Sequence, residues 1–353
     1  QDQASYDPEI TPELIKEMLD FFIVGQDNYK VKLSIAFFTY LMRKDSKTPN
    51  LPKSNLLVCG PSGSGKTYGM QVLSKLFQVP FITVHCNSVV QEGIVGTSLT
   101  DGFTSSLING WKKEQIEHAV VCFDEFDKLF ERPHSGKSTG VYNERIVNEM
   151  LNIIDDKGEV EFKTTFDSRE SDRIKISNRK MMFVFTGVFE GIGKQLEEIR
   201  QDDLTSRKKI GFRNREEQQQ QLESNQDTIL IKKQLNENDF IAFGVKPEIV
   251  GRIQNFVNLE PLNEEEMMRL FDLGPYSPFT EFEQYFAFNN IDTVLTEEGK
   301  HTLAKLACER NLGVRGLKGL LQRVLTEDMY DLEVGEDNIL KITKQYIMDN
   351  LRK

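Results

Sequence analysis

The sequence predicts an α/β fold, with a large domain whose parallel sheet lies between helices and a small, mainly helical domain after it. Three observations carry that prediction. Short apolar runs at residues 55–59, 81–85, 120–123 and 181–185 read as strands, and helical or mixed segments separate them, the arrangement of a parallel sheet covered on both faces. The first run enters a glycine-rich loop, and residues 67–77 leave that loop with the apolar spacing of a helix. After Pro261 the character changes. Asn263 followed by Glu266 has the form of a helix-capping box, and helical patterning dominates from there on. The expected division is therefore 1–261 and 262–353.

Along the chain, Thr11-Pro12 is a helix start with Pro at the first helical position. Val31, Ile35, Phe38 and Met42 then mark one face of a second helix. Residues 213–227 carry Glu216-Glu217-Gln218-Gln219-Gln220-Gln221 and few apolar side chains, which predicts a surface loop. In the second domain, Leu317, Leu320, Leu321 and Val324 line one face of a late helix, and residues 292–295 and 338–342 fit short strands.

Composition removes several function classes. The chain has 353 residues, 39% hydrophobic and 28% charged, which describes an ordinary globular protein of about two domains. A net charge of −11 argues against a nucleic-acid partner, because phosphate backbones attract basic surfaces. Cys59, Cys86, Cys122 and Cys308 stand far apart in apolar surroundings, so reduced thiols are expected rather than zinc ligands or disulfides. No apolar run approaches the roughly 20 residues that cross a bilayer. A soluble, cytoplasmic protein is expected, and a start at Gln1 rather than Met allows for an upstream segment.

The glycine-rich loop is Gly60-Pro61-Ser62-Gly63-Ser64-Gly65-Lys66-Thr67, which fits the phosphate-binding pattern G-x-x-x-x-G-K-[ST] without a gap. Glycines let the backbone curl until its N–H groups and the positive helix start face phosphate oxygens. Lys66 is placed to reach the outer phosphates of ATP, and Thr67 to hold Mg²⁺. Val120-Val121-Cys122-Phe123-Asp124-Glu125 is an apolar strand ending in two acids, the form of a Walker B element. Asp124 would support Mg²⁺, and Glu125 would orient and polarise the attacking water. Thr186, at the end of a later strand, is a candidate to align that water, since strand C-termini of a parallel sheet face the ligand crevice.

Taken together, these residues resemble the ClpX-type protein unfoldases of the AAA+ superfamily, from about Thr11 to about Tyr346. Ile23-Val24-Gly25-Gln26 matches that family's adenine-pocket element, and Phe123-Asp124-Glu125-Phe126-Asp127-Lys128 its acidic strand end. Pro247-Glu248-Ile249-Val250-Gly251-Arg252 is similar to the arginine-finger segment, and Gly313-Val314-Arg315-Gly316-Leu317 to the start of the sensor-2 helix. The resemblance implies an AAA+ P-loop NTPase large domain and a hexameric ring. It implies an ATPase that threads protein substrates through a central pore, with Arg252 acting on a neighbouring subunit's nucleotide and Arg315 on its own. Gly93-Ile94-Val95-Gly96 stands where the family carries Gly-aromatic-Val-Gly, so Ile94 and Val95 are the pore candidates. Tyr142 either shares that role from a second pore loop or merely starts the helix running to Ile154. Ile210-Gly211-Phe212 is similar to the tripeptide loop that docks on a ClpP-type peptidase.

Two family elements have no counterpart. Residues 155–177 hold no Arg-Lys-His tripeptide, so substrate-tag recognition is not implied, and for the family's zinc-binding N-terminal domain the expectation is that it was trimmed or that adaptor binding works differently. The resemblance favours delivery of unfolded substrates to the peptidase. A remodelling chaperone that works without a protease is the alternative, and a nucleic-acid motor is disfavoured by charge.

Overall fold

The structure, a computed structural model, describes residues 9–44, 51–89, 98–130, 140–155, 158–166, 172–190, 192, 235–332 and 338–351. The chain forms two compact units: residues 1–17, 27–60 and 66–259 in the first, and residues 18–26, 61–65 and 260–353 in the second.

The first unit is built on β1 (Leu56–Cys59), β2 (Phe81–His85), β3 (Val120–Asp124), β6 (Met182–Gly187) and β7 (Asn255–Asn258), in the order β2-β3-β6-β1-β7. Every neighbouring pair runs parallel. A strand inside such a sheet meets packed side chains on both faces, which is why β1 and β3 read as unbroken apolar runs rather than alternating ones. Leu56, Leu57, Val58, Val120, Val121, Cys122 and Phe123 are accordingly sealed from solvent. On one face Phe123 stacks on Phe185 with centroids 5.3 Å apart, and Phe185 meets Phe126 at 4.8 Å. The run of rings continues through Phe189, Phe240 and Phe256.

Around the sheet lie α2 (Asp27–Lys44), α3 (Tyr68–Leu76), α4 (Asp101–Ile108), α5 (Lys113–Ile116), α6 (Gly140–Ile154), α7 (Glu237–Phe243) and α8 (Pro247–Val250), with α1 (Pro12–Asp20) leading into the second unit. Thr11 opens α1 as its sequence suggests, its hydroxyl accepting from the Leu14 N–H at 3.1 Å. In α2 the buried side is Tyr29, Leu33, Ala36, Phe37 and Tyr40 rather than the expected apolar stripe. Val31 and Ile35 are 42% and 46% exposed. Two interleaved apolar sets fit this helix, and the larger aromatic set takes the core. Residues 155–177, which carry no recognisable motif, supply both strands of an antiparallel pair, β4 (Glu159–Lys163) and β5 (Arg173–Ser177).

His118, two residues ahead of β3, is an acid-sensitive point. Burial first, and then the Lys180 and Lys44 cations, hold its imidazole at about 4, below the usual 6.5. A depressed value means that the unfolded chain takes up this proton first, so stability from this group is present above pH 6.5 and lost as pH falls toward 4. His118→Gln is expected to flatten the drop in thermal midpoint between those pH values. An unchanged pH profile would remove His118 from the account.

The second unit contains α9 (Glu264–Leu270), α10 (Thr280–Phe288), β8 (Asp292–Leu295), α11 (Glu297–Glu309), α12 (Val314–Asp331), β9 (Ile339–Ile342) and α13 (Lys344–Asn350). The capping box is present, Asn263 Oδ1 accepting from the Glu266 N–H and Glu266 Oε2 from the Asn263 N–H, each at 2.9 Å. β8 and β9 pair in parallel. The core joins Val24 to Met267, Phe282, Leu303, Leu317, Leu320, Leu321 and Val324, so the apolar face predicted for the late helix is the one that is buried.

Candidate nucleotide site

β1 delivers the chain to Gly60, whose N–H donates to the Gly187 carbonyl of the neighbouring strand at 3.2 Å. The loop then turns through positive φ at Gly60, Gly63 and Gly65 (155°, 75° and 86°), a conformation that glycine adopts without the clash a Cβ would bring. Lys66 Nζ donates to the Gly60 carbonyl at 2.9 Å, folding the ammonium back along the loop. Thr67 sits at the N-cap of α3 but makes no side-chain cap bond. Its hydroxyl is therefore not committed to the helix, as a metal ligand requires.

Parallel pairing places the C-terminal ends of β2, β3, β6 and β1 at one edge of the sheet. Thr186, fully buried, donates from Oγ1 to Asp124 Oδ1 at 2.6 Å. His85 Nδ1, at the end of β2, lies 3.8 Å from Asp124 Oδ2. Glu125 is exposed and takes the left-handed conformation, φ 54° and ψ 39°, which costs a non-glycine residue roughly 1 kcal/mol or more. That twist points consecutive acids in different directions. Asp124 stays with the sheet while Glu125 turns out from it.

Asp127 was not among the expected site residues. It is 1% exposed, and its Oδ2 accepts from the Phe189 N–H at 3.1 Å. A side chain on Gly187 would come within 2.6 Å of Asp127 Oδ1, so the glycine makes room for this carboxylate. Asp127 thereby ties the turn after β3 to the end of β6, next to Thr186. The signal was in the sequence as a third acid in Asp124-Glu125-Phe126-Asp127, in a stretch otherwise buried.

Arg252 follows α8 and is held within its own chain: Nη1 donates to the Glu248 carbonyl at 2.7 Å, and Nη2 lies 3.8 Å from Asp155 Oδ2. Asn55 Nδ2 donates to its carbonyl at 2.8 Å, fixing this turn to the chain just ahead of β1.

Within the second unit, loop residues 61–65 meet the start of α12. The Val314 N–H donates to the Gly63 carbonyl at 3.2 Å, and Arg315 is exposed in the first turn of that helix. A Cβ on Gly313 would lie 2.6 Å from the Gly63 oxygen. Gly313→Ala is therefore expected to destabilise this unit by about 1–3 kcal/mol, read as a lower thermal midpoint. An unchanged midpoint would mean that the loop yields freely. Val24 is buried in the same unit, and the Ile23 N–H donates to the Leu19 carbonyl at 2.9 Å.

The remaining candidates lie beyond what can be placed. Ile94, Val95, Ile210, Gly211 and Phe212 fall outside the described residues, and Tyr142 lies in the first turn of α6 with its side chain outside them. The thiol expectation can be followed in full: Cys59, Cys86 and Cys122 are buried and unpaired in disulfides, and Cys308 is half-buried. Burial pushes the Cys59 thiol up to about 12, so it is inert at neutral pH.

Residues 56–190 match the family model described as "ATPase family associated with various cellular activities (AAA)", a stretch that begins at β1 and takes in Lys66, Asp124, Glu125 and Thr186. Over 344 residues the chain is 27% identical to the "ATP-dependent Clp protease ATP-binding subunit ClpX" of Porphyromonas gingivalis. That alignment covers 95% of this chain and 81% of the relative, and the match to the protein of the ATCC 33277 strain is repeated for that of strain W83. Residues 56–190 thus carry an AAA ATPase domain, and the chain as a whole is similar to ClpX subunits. The α/β fold with a parallel central sheet agrees with that assignment. Among the described residues, no helix is long and apolar enough to cross a membrane.

Proposed function

We propose that this ATPase assembles into a hexameric ring that unfolds protein substrates, threads them through a central pore and delivers them to a ClpP-type peptidase. The observation that supports the proposal is that β3 with Asp124 and β6 with Thr186 end at the same sheet edge as β1, which leads into the glycine loop, in a chain that aligns with ClpX subunits over 95% of its length.

In this reading the N–H groups of residues 60–65 and the start of α3 cradle the ATP phosphates, and the Lys66 ammonium neutralises the outermost charge. Ile23 and Val24 border the adenine. The donor set fits Mg²⁺, with the Thr67 hydroxyl uncommitted and the Asp124 carboxylate fixed by Thr186, both hard oxygen ligands. When bound, Mg²⁺ supplies charge neutralisation on the phosphates. Thr186 keeps the Asp124 carboxylate in place, while Glu125 accepts a proton from the attacking water. Arg252 of one subunit reaches a neighbour's γ-phosphate, and Arg315 contacts the nucleotide of its own subunit, so hydrolysis depends on assembly. Ile94 and Val95 push on the polypeptide, with Tyr142 as a second contact, and Ile210-Gly211-Phe212 anchors in a peptidase cleft.

A second reading, a remodelling chaperone that acts without a protease, is favoured by Ile94, which offers less contact area than an aromatic side chain at that position. One assay separates the two. The protein is mixed with a ClpP-type peptidase, ATP and a folded fluorescent protein bearing candidate tags. ATP-dependent proteolysis that disappears on deleting residues 210–212 supports delivery to the peptidase. Fluorescence loss without proteolysis, indifferent to that deletion, supports remodelling instead.

A further inference from the structure

We propose that Tyr29 is a positioning residue for the phosphate-binding turn, its hydroxyl holding the first turn of α3 in the shape that nucleotide requires. The proposal rests on Lys66 being the phosphate-binding lysine.

Tyr29 lies near the start of α2 and is 1% exposed. Its hydroxyl donates to the Lys66 carbonyl at 3.1 Å. The Gly69 N–H, one of the first N–H groups of α3, is near enough to the Tyr29 hydroxyl oxygen to act on it electrostatically. A hydroxyl can donate and accept at once, so one side chain can serve both backbone groups. Those groups need a partner, because the opening turn of a helix leaves N–H groups without an intrahelical acceptor. α3 has no side-chain cap at Thr67 to do this work. Tyr29 takes that place from another element.

The tyrosine is itself well anchored. Asp27 and Lys30 pair across the first turn of α2 at 3.2 Å, and Lys32 Nζ donates to the Phe256 carbonyl in β7 at 2.8 Å. Burial, and then the neighbouring Cys122 thiol, push the Tyr29 hydroxyl well above its usual value, so it stays protonated and able to donate. Cys122 lies two residues before Asp124 in β3. The hydroxyl thus lies near both the start of α3 and the strand that carries Asp124. A phenylalanine would fill the same space, so packing alone does not call for the oxygen.

The test compares full-length Tyr29→Phe, Lys66→Ala and wild type for binding of mant-ADP with Mg²⁺, alongside thermal midpoints without nucleotide. Loss of one buried bond pair predicts about tenfold weaker mant-ADP binding for Tyr29→Phe, with a smaller change in maximal ATP turnover than in KM. A lower midpoint with affinity within twofold of wild type would make the hydroxyl purely structural and overturn the proposal. Wild-type binding by Lys66→Ala would remove the phosphate-binding reading itself, and this proposal with it. Loss of binding by Lys66→Ala beside normal binding by Tyr29→Phe would overturn this proposal alone. Should Tyr29→Phe not fold, amide exchange at Gly69 in the nucleotide-free wild type decides. Slow exchange is expected, and exchange at the rate of an open chain would contradict it.

Discussion

Glu125→Gln is expected to slow ATP turnover by about 10²–10⁴-fold, the range for losing a general base, while nucleotide binding stays intact. The amide keeps the size of the side chain and its hydrogen-bonding reach but cannot take up the proton from water. Nucleotide affinity should be spared because, in the proposed reading, the glycine loop and Lys66 hold the phosphates and Glu125 is an exposed side chain beyond β3. The left-handed backbone at residue 125 is a property of the turn and survives the exchange. Parallel measurements of turnover and of mant-ADP affinity check this. A rate within fivefold of wild type would assign the base to another residue.

Arg252→Ala carries the second large effect. A trans-acting arginine stabilises charge on the transferred phosphoryl group and is worth roughly 10³–10⁵ in rate. In the isolated chain this side chain is parked on the Glu248 carbonyl and near Asp155, contacts that must give way if it is to reach a neighbour. The contact with Asp155 is the weaker one. The ion pair is long and partly exposed, so its release costs about 0–1 kcal/mol. Mixing subunits distinguishes a trans role from a local one. Arg252→Ala and Glu125→Gln subunits are each inactive alone, but in a mixed ring a Glu125→Gln subunit donates its arginine to a site that still has its base. Partial recovery of ATP turnover on mixing is expected. No recovery, with mixed rings verified by co-purification through an affinity tag on one variant, would place Arg252 in its own subunit's structure.

Much of the candidate site's layout was legible because its motifs are written locally. The glycine loop, the two acids after an apolar strand and the threonine after another each declare themselves in a few residues, and parallel topology then places their strand ends at a common edge. The bond from Thr186 to Asp124 could not be read directly, because it depends on β3 and β6 being neighbours. The contacts of Asp127 and Tyr29 could not be read for the same reason. Their partners, the Phe189 N–H and the Lys66 carbonyl, are backbone groups 62 and 37 residues away, and backbone groups leave no mark in a sequence. In α2, two apolar sets compete for one core, and periodicity alone does not rank Tyr29, Phe37 and Tyr40 above Val31 and Ile35.

The central claim is that hydrolysis at Lys66 and Glu125 does mechanical work on proteins. Its most direct test records, in one cuvette without peptidase, ATP consumption and the fluorescence of a folded, tagged reporter trapped on unfolding by a capture chaperonin. The account predicts loss of reporter fluorescence in step with ATP consumption, absent with ADP and abolished in Glu125→Gln. Brisk ATP turnover that leaves every folded reporter intact, or unfolding that proceeds equally with Glu125→Gln, would contradict it.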